Sequence, residues 1–337
     1  MRPALLVFGY SLAVAWGTPA LLARLTSAGI SARLGLTAWL TAMASALASL
    51  AVAMQYLVTA AIAGWSQLAE AVCRSVTGGA CTAMVYRSAA FELGLGLAAI
   101  AAALALAVLA WRYGRGVQRA QRRTRAYAEA ARITGRRLAM KGAGEAGGAP
   151  MMIDTVVADA VVIESARPAA YCVPGRPSAI VLTSGALAVL DPGQLTAVLA
   201  HERAHLAGRH HLLIALTRGL AATFPAVPLF TRGPAEVARL AEMCADDAAA
   251  RRSSRPTLVA ALLAMGTGAP VAVPAAALAA TTCAVTARVQ RLLEPAPRAR
   301  NARNRLALAT VILLLALVSG LVTRFAGPLA AHGLIPG

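Results

Sequence analysis

Two histidines four residues apart, with a glutamate directly after the first, stand in the run His201-Glu202-Arg203-Ala204-His205. On an α-helix, residues i and i+4 share one face, so the two imidazoles can reach a single Zn²⁺. Glu202 then projects beside them, where its carboxylate can act as general base toward a water at the metal. Upstream, Asp191-Pro192-Gly193-Gln194 predicts the start of the helix that carries the run, with Asp as N-cap, Pro at N1 and Gln at N3.

A catalytic zinc site needs a third protein ligand and leaves a fourth position open. The downstream candidates are His210, His211, Glu236, Glu242, Asp246 and Asp247. His210 and His211 fall five and six residues past His205, so neither projects cleanly onto the ligand face. Glu242 and Asp246 are i and i+4 on a helix predicted over 234–251. One can bind metal while the other holds the second nitrogen of a ligating imidazole. Glu242 is read as the ligand and Asp246 as its support. The plain alternative is an exposed acidic face balanced by Arg239, Arg251 and Arg252. Tyr171 and Arg288 are candidates for an oxyanion donor, which spacing alone does not place.

These residues need a scaffold. Val- and Ile-rich stretches predict strands over 154–164, 169–173 and 179–182, the last two separated by Pro174-Gly175-Arg176-Pro177. Strands leading into the motif helix give an α+β domain over 150–304, in which an edge strand can hold an extended peptide by main-chain pairing. A Gly-rich linker, 142–150, precedes it.

Composition places this domain at a membrane. Hydrophobic residues make up 58% of the chain, charged residues 14%, and mean hydropathy is +0.65. Apolar stretches predict spans over 3–23, 36–63 and 93–111, with a fourth inside 305–337, each supplying the roughly 20 residues that cross a bilayer core. The first is read as a retained span, not a cleaved signal.

The net charge of +18 sets orientation. Ten cations lie between Arg112 and Lys141, against Glu129 alone, and Arg298, Arg300, Arg303 and Arg305 precede the last span. Cationic flanks stay inside, so the large loop is expected to be cytoplasmic in a multi-pass cell-membrane protein. Attraction to anionic headgroups accounts for the arginines, and no recognition module accompanies them, which argues against direct nucleic-acid binding. A cationic helix is expected over 115–140, along the inner leaflet. The apolar stretch 212–230 reads either as a helix against the bilayer face or as a buried core helix. Cys73 and Cys81 fall in the expected outside loop, as a disulfide or as two free thiols. Cys172, Cys244 and Cys283 read as small core residues.

Three segments in order carry a resemblance: Val181-Leu-Thr-Ser-Gly-Ala-Leu187, Leu195 through the histidine run to Leu206, and Glu242-x-x-x-Asp246. The chain resembles the integral-membrane gluzincin peptidases, foremost the BlaR/MecR type, with HtpX and the CAAX prenyl proteases more distant. The likeness is sharp between about 179 and 246, and Thr286 to Pro295 is similar to the segment leading into that family's last span. It implies four spans around a cytoplasmic zincin-like domain. It also implies one zinc held by His201, His205 and Glu242, water activation by Glu202, and orientation of His201 by Asp246. Two departures stand out. Such proteins commonly carry Asp where this chain has His210. The 14 residues after Thr323 leave no room for a penicillin-sensor domain, so direct β-lactam sensing is not expected.

The resulting expectation is a membrane zinc endopeptidase that cleaves a cytoplasmic or membrane-proximal protein, such as a transcriptional repressor. A non-catalytic receptor or scaffold with a peptidase-like, partner-binding domain is the alternative.

Overall fold

The computed structural model describes residues 2–27, 31–76, 136–137, 160–173, 178–266, 285–294 and 297–332, with scattered helical positions between 94 and 118. Three helices are long and apolar enough to cross a membrane: α1 (Arg2–Ser27), α2 (Ala32–Val76) and the last helix, α8 (Arg298–His332). Their apolar windows cover Leu5–Ser27, Ala32–Thr59 and Ala299–Val322. The expected span over 93–111 falls largely outside the described residues. Those seen there are helical, with Leu97, Ile100, Leu104, Val108 and Trp111 exposed.

α2 is longer than the stretch 36–63 expected from hydropathy. Its 45 residues extend for roughly 68 Å at 1.5 Å each, about twice a bilayer core. The boundary between apolar and polar sequence marks where a bilayer would end, not where backbone hydrogen bonding stops.

Small side chains let α1, α2 and α8 approach closely, and hydroxyls join them. Tyr10 Oη lies 2.9 Å from Ser45 Oγ, Ser45 Oγ lies 2.7 Å from Ser319 Oγ, and Ser11 donates to the Ala46 carbonyl at 2.9 Å. In a medium without water such bonds are worth keeping, because the alternative is an unpaired hydroxyl. Leu313, Leu314, Leu317 and Leu321 of α8 stay exposed, an apolar surface suited to lipid.

The remaining elements form a small sheet and a helical layer. β1 (Arg136–Arg137), β2 (Ala160–Ile163), β3 (Ala170–Val173) and β4 (Ala179–Thr183) form a sheet of order β1-β2-β4-β3, with β2 and β4 parallel and the outer pairs antiparallel. The predicted strands thus form, with the first seen from Ala160 onward. The expected helix over 115–140 is corrected at its end, because Arg136 and Arg137 pair with Val162 and Val161 as a strand.

β4 is buried along its whole length and β3 is an edge. The turn before β3 is fixed by Gly185, whose added Cβ would meet the Ala166 carbonyl oxygen at 2.2 Å. Gly185 lies in the first turn of α3 (Ser184–Val189), capped by Thr183, whose hydroxyl accepts from Ala186 N and donates to the Arg167 carbonyl at 2.7 Å. One Thr therefore starts a helix and anchors the approach to the edge strand.

α4 (Pro192–Ala207) begins at the capping box read from the sequence: Gln194 N donates to Asp191 Oδ1 at 2.8 Å, and Asp191 N to Gln194 Oε1 at 3.2 Å. Leu195, Val198 and Leu199 pack on the sheet with Ile180 and Leu182, while Ala197 and Ala200 pack with Ala249 and Leu258. Burial on two sides leaves His201, Glu202 and His205 on the remaining face.

α5 (His210–Thr223) and α6 (Pro228–Arg252) follow, then α7 (Arg255–Gly266) and a helical stretch 285–293. The region 212–230 is thus split by a turn. Leu220, Leu229, Phe230, Val237 and Leu240 share one core with Trp39, Met43, Leu308 and Leu315 of the long apolar helices. α6 begins at Pro228, six residues before the predicted start, and keeps Pro234 inside. Pro suits a helix start, so either proline could have opened it, and the core contacts of Leu229 and Phe230 select the earlier one.

Candidate metal centre

α4 and α6 bring His201, His205 and Glu242 together, with their ligand atoms all within 4.8 Å of one another. His201 Nε2 and His205 Nε2 are 3.1 Å apart, His201 Nε2 and Glu242 Oε2 3.5 Å, and His205 Nε2 and Glu242 Oε1 3.4 Å. Ligands about 2.0–2.1 Å from a tetrahedral zinc stand about 3.3 Å from each other. The three edges match that spacing, and the donor set of two imidazoles and a carboxylate suits zinc, so the residues fit the ion. Glu242 is the most open of the three, with 38% of its side chain exposed, and gives the centre its open side.

Asp246, a turn beyond Glu242, is fully buried and sets Oδ1 3.1 Å from His201 Nδ1, a close contact that lacks hydrogen-bond alignment. Arg288, from the stretch 285–293, clamps Asp246 through Nε at 2.8 Å and Nη2 at 2.6 Å, and its Nη1 lies 3.1 Å from Glu242 Oε2. This guanidinium is therefore engaged by two carboxylates of the centre, a position suited to holding them. The other candidate, Tyr171, is exposed on β3.

His210 does not join the ligand group, yet it reaches the centre. Its Nδ1 lies 3.0 Å from His205 Nδ1, and it is buried. Burial first, among several influences, lowers the pKa of His205 to about 4 and lowers that of His210, so both rings are neutral near pH 7. One ring must then donate and the other accept. If His205 Nδ1 carries the proton, its Nε2 lone pair faces Glu242 and His201, the tautomer a metal ligand needs.

The turn that allows this contact was hidden from helical periodicity. Arg209 adopts φ 48°, which breaks the helix and folds His210 back. At Gly208 an added Cβ would meet His210 Nε2 at 2.4 Å. Gly208→Ala is expected to displace His210 and weaken zinc binding by about tenfold, the low end for losing an outer partner. Zinc competition with a chromophoric chelator checks this, and unchanged affinity would remove His210 from the account.

Glu202 is buried on the same face, outside the group of three. Burial, then the Glu242 carboxylate, raise its pKa above the ordinary carboxylate range, partly offset by His201 and by the Cys172 backbone N–H and thiol. Cys172 is thus no simple core residue: it lies half-buried on the edge strand against Glu202, and burial with that carboxylate pushes its thiol up to about 12. Cys244 is buried in the shared core, and Cys73, Cys81 and Cys283 lie outside the residues whose side chains are described.

Burial favours neutral His201, but Asp246 and Glu242 outweigh it and raise the ring to about 9 from 6.5. A raised folded pKa stabilises fully below the unfolded value, and that stabilisation is lost as pH rises through the folded one. The zinc-free protein should therefore lose thermal stability between pH 6.5 and 9. A flat melting temperature across that window would contradict the proton-held pairing.

No curated protein and no solved structure matches the chain. Residues 155–230 match the model of Peptidase family M48, a stretch from the sheet through α4 into α6 that includes His201, Glu202 and His205 and ends before Glu242. That match does not single out the BlaR/MecR type. Together with three helices suited to crossing a membrane, it supports a membrane-associated metallopeptidase.

Proposed function

We propose that the chain is a membrane-embedded zinc endopeptidase that hydrolyses a cytoplasmic or membrane-proximal protein, with a transcriptional repressor as the favoured substrate class. The observation that carries this reading is the spacing of 3.1, 3.4 and 3.5 Å among three ligand atoms beside a buried carboxylate of raised pKa. Zinc would supply Lewis acidity, polarising a peptide carbonyl and acidifying water.

The chain's own residues do the rest. Glu202, displaced toward neutrality, takes the proton from attacking water and returns it to the leaving amine. Asp246 and Arg288 hold His201 and Glu242 in place, and His210 holds His205. β3 offers an edge beside Glu202, where an extended substrate can lie as an added strand. The cytoplasmic placement follows from the arginine distribution. The repressor as substrate follows from the sequence resemblance to the BlaR/MecR type.

The test uses the full chain in nanodiscs with an unstructured protein, reading new termini by mass spectrometry. Cleavage should stop with a zinc chelator and return on adding zinc. Cleavage that persists in chelator would contradict the mechanism. If no products form in zinc-loaded protein, the receptor or scaffold reading takes its place.

A further inference from the structure

A cavity of about 850 Å³ lies behind the motif helix, between the start of α2, one side of α4 and the end of α6. Arg33, Arg203, Arg251 and Arg252 line it, and no described Asp or Glu does. Among the described residues, neither Arg33, Arg251 nor Arg252 has an ion-pair partner, unlike Arg288 and Arg291, which are held by Asp246 and Asp247. Arg33 sits in the first turn of α2, where the helix dipole disfavours a cation. Arg33, Arg251 and Arg252 are exposed side chains lining one cavity, so an anion bound there can meet more than one guanidinium, and guanidinium pairs well with phosphate oxygens.

The position identifies the source of that anion. Arg33 is the second residue of the apolar window Ala32–Thr59, so a bilayer crossed by that window would have its edge at the cavity. Its walls also include Leu36, Ala200 and Ala204, an apolar side beside the cationic one. That pairing suits an amphiphile whose phosphate meets arginine while its glycerol and upper chains meet Leu and Ala. A free phosphate would use only the cationic half. We propose that this cavity binds the phosphate headgroup of an anionic phospholipid, from the leaflet that faces the α4 side of the protein. The ligand would brace α4 against α2. His210 also lines the cavity and lies 3.0 Å from His205, so the lipid site and the metal centre share a neighbour.

This inference does not depend on peptidase activity, and its test reads lipid binding. Full-length protein in neutral detergent is mixed with phosphatidylglycerol or phosphatidylcholine of the same chains and examined by native mass spectrometry. The parent should retain one phosphatidylglycerol in preference to phosphatidylcholine. The double substitution Arg33→Gln with Arg251→Gln should weaken that retention by about tenfold. The corresponding double Lys substitution should stay within about threefold, and Arg218→Gln, on α5 away from the cavity, should match the parent. Displacement by millimolar inorganic phosphate would keep the anion site and reassign its source to soluble phosphate. Equal retention of both lipids by the parent would overturn the proposal, as would a double Gln variant that binds like the parent. Should the Gln variant misfold, the parent alone decides through salt: retention must fall as sodium chloride rises, and salt-independent retention overturns the site.

Discussion

Replacing Glu202 by Gln is expected to lower peptide turnover by about 10²–10⁴-fold, the range that general acid–base catalysis supplies. Gln has nearly the same shape, but it cannot take a proton from water. Zinc content should stay at the parent level, because Glu202 is not in the group of three ligand atoms. Stability should hold or rise slightly, since the substitution removes a carboxylate that burial already disfavours in its charged form. Turnover and metal content measured on one preparation separate the two roles. A variant that cleaves within a few-fold of the parent would remove Glu202 as the base.

The second large effect is expected at Asp246, whose side chain is fully buried. Asp246→Ala leaves Arg288 with Glu242 alone and His201 Nδ1 with nothing, and breaking a buried pair from one side costs about 3–5 kcal/mol. Asp246→Asn keeps the shape and removes the charge. It should lower zinc affinity by roughly 10–100-fold, as loss of an outer-shell partner typically does. Neutralising Asp246 also frees Arg288 to pull harder on Glu242, which compounds the effect. Thermal midpoints of the zinc-free variants and chelator competition report the two terms separately. If Asp246→Asn bound zinc as the parent does, the line from Arg288 through Asp246 to His201 would be structural only.

The residues near one another in sequence were the readable ones. His201 and His205 share a helical face by spacing, Glu242 and Asp246 do the same, and Asp191 with Gln194 marks where α4 begins. The strands were visible because β4 is a short apolar run bounded by turn residues. Arg288 lies 42 residues beyond Asp246, and no local pattern signals which carboxylates it will meet. Spacing correctly kept His210 out of the ligand group, but its contact with His205 was not legible, because the backbone leaves the helix at Gly208 and Arg209. Cys172 looked like core because its type is commonly buried, while its place on the edge strand against Glu202 depends on a turn set by Gly185. Hydropathy found apolar lengths but not helix ends, so α2 outran its apolar stretch. It also could not tell that α5 and α6 pack directly on the long apolar helices, since membrane-facing and core-facing leucines read alike.

In the proposed centre, three side chains from two helices hold one zinc ion. Metal content of the purified full-length chain, compared with Glu242→Ala, tests it most directly, because Glu242 lies beyond the stretch that matches the peptidase family. One zinc per parent chain is expected, with loss of stoichiometric zinc in Glu242→Ala at the same helicity. Stoichiometric zinc in Glu242→Ala, or none in the folded parent, would contradict it.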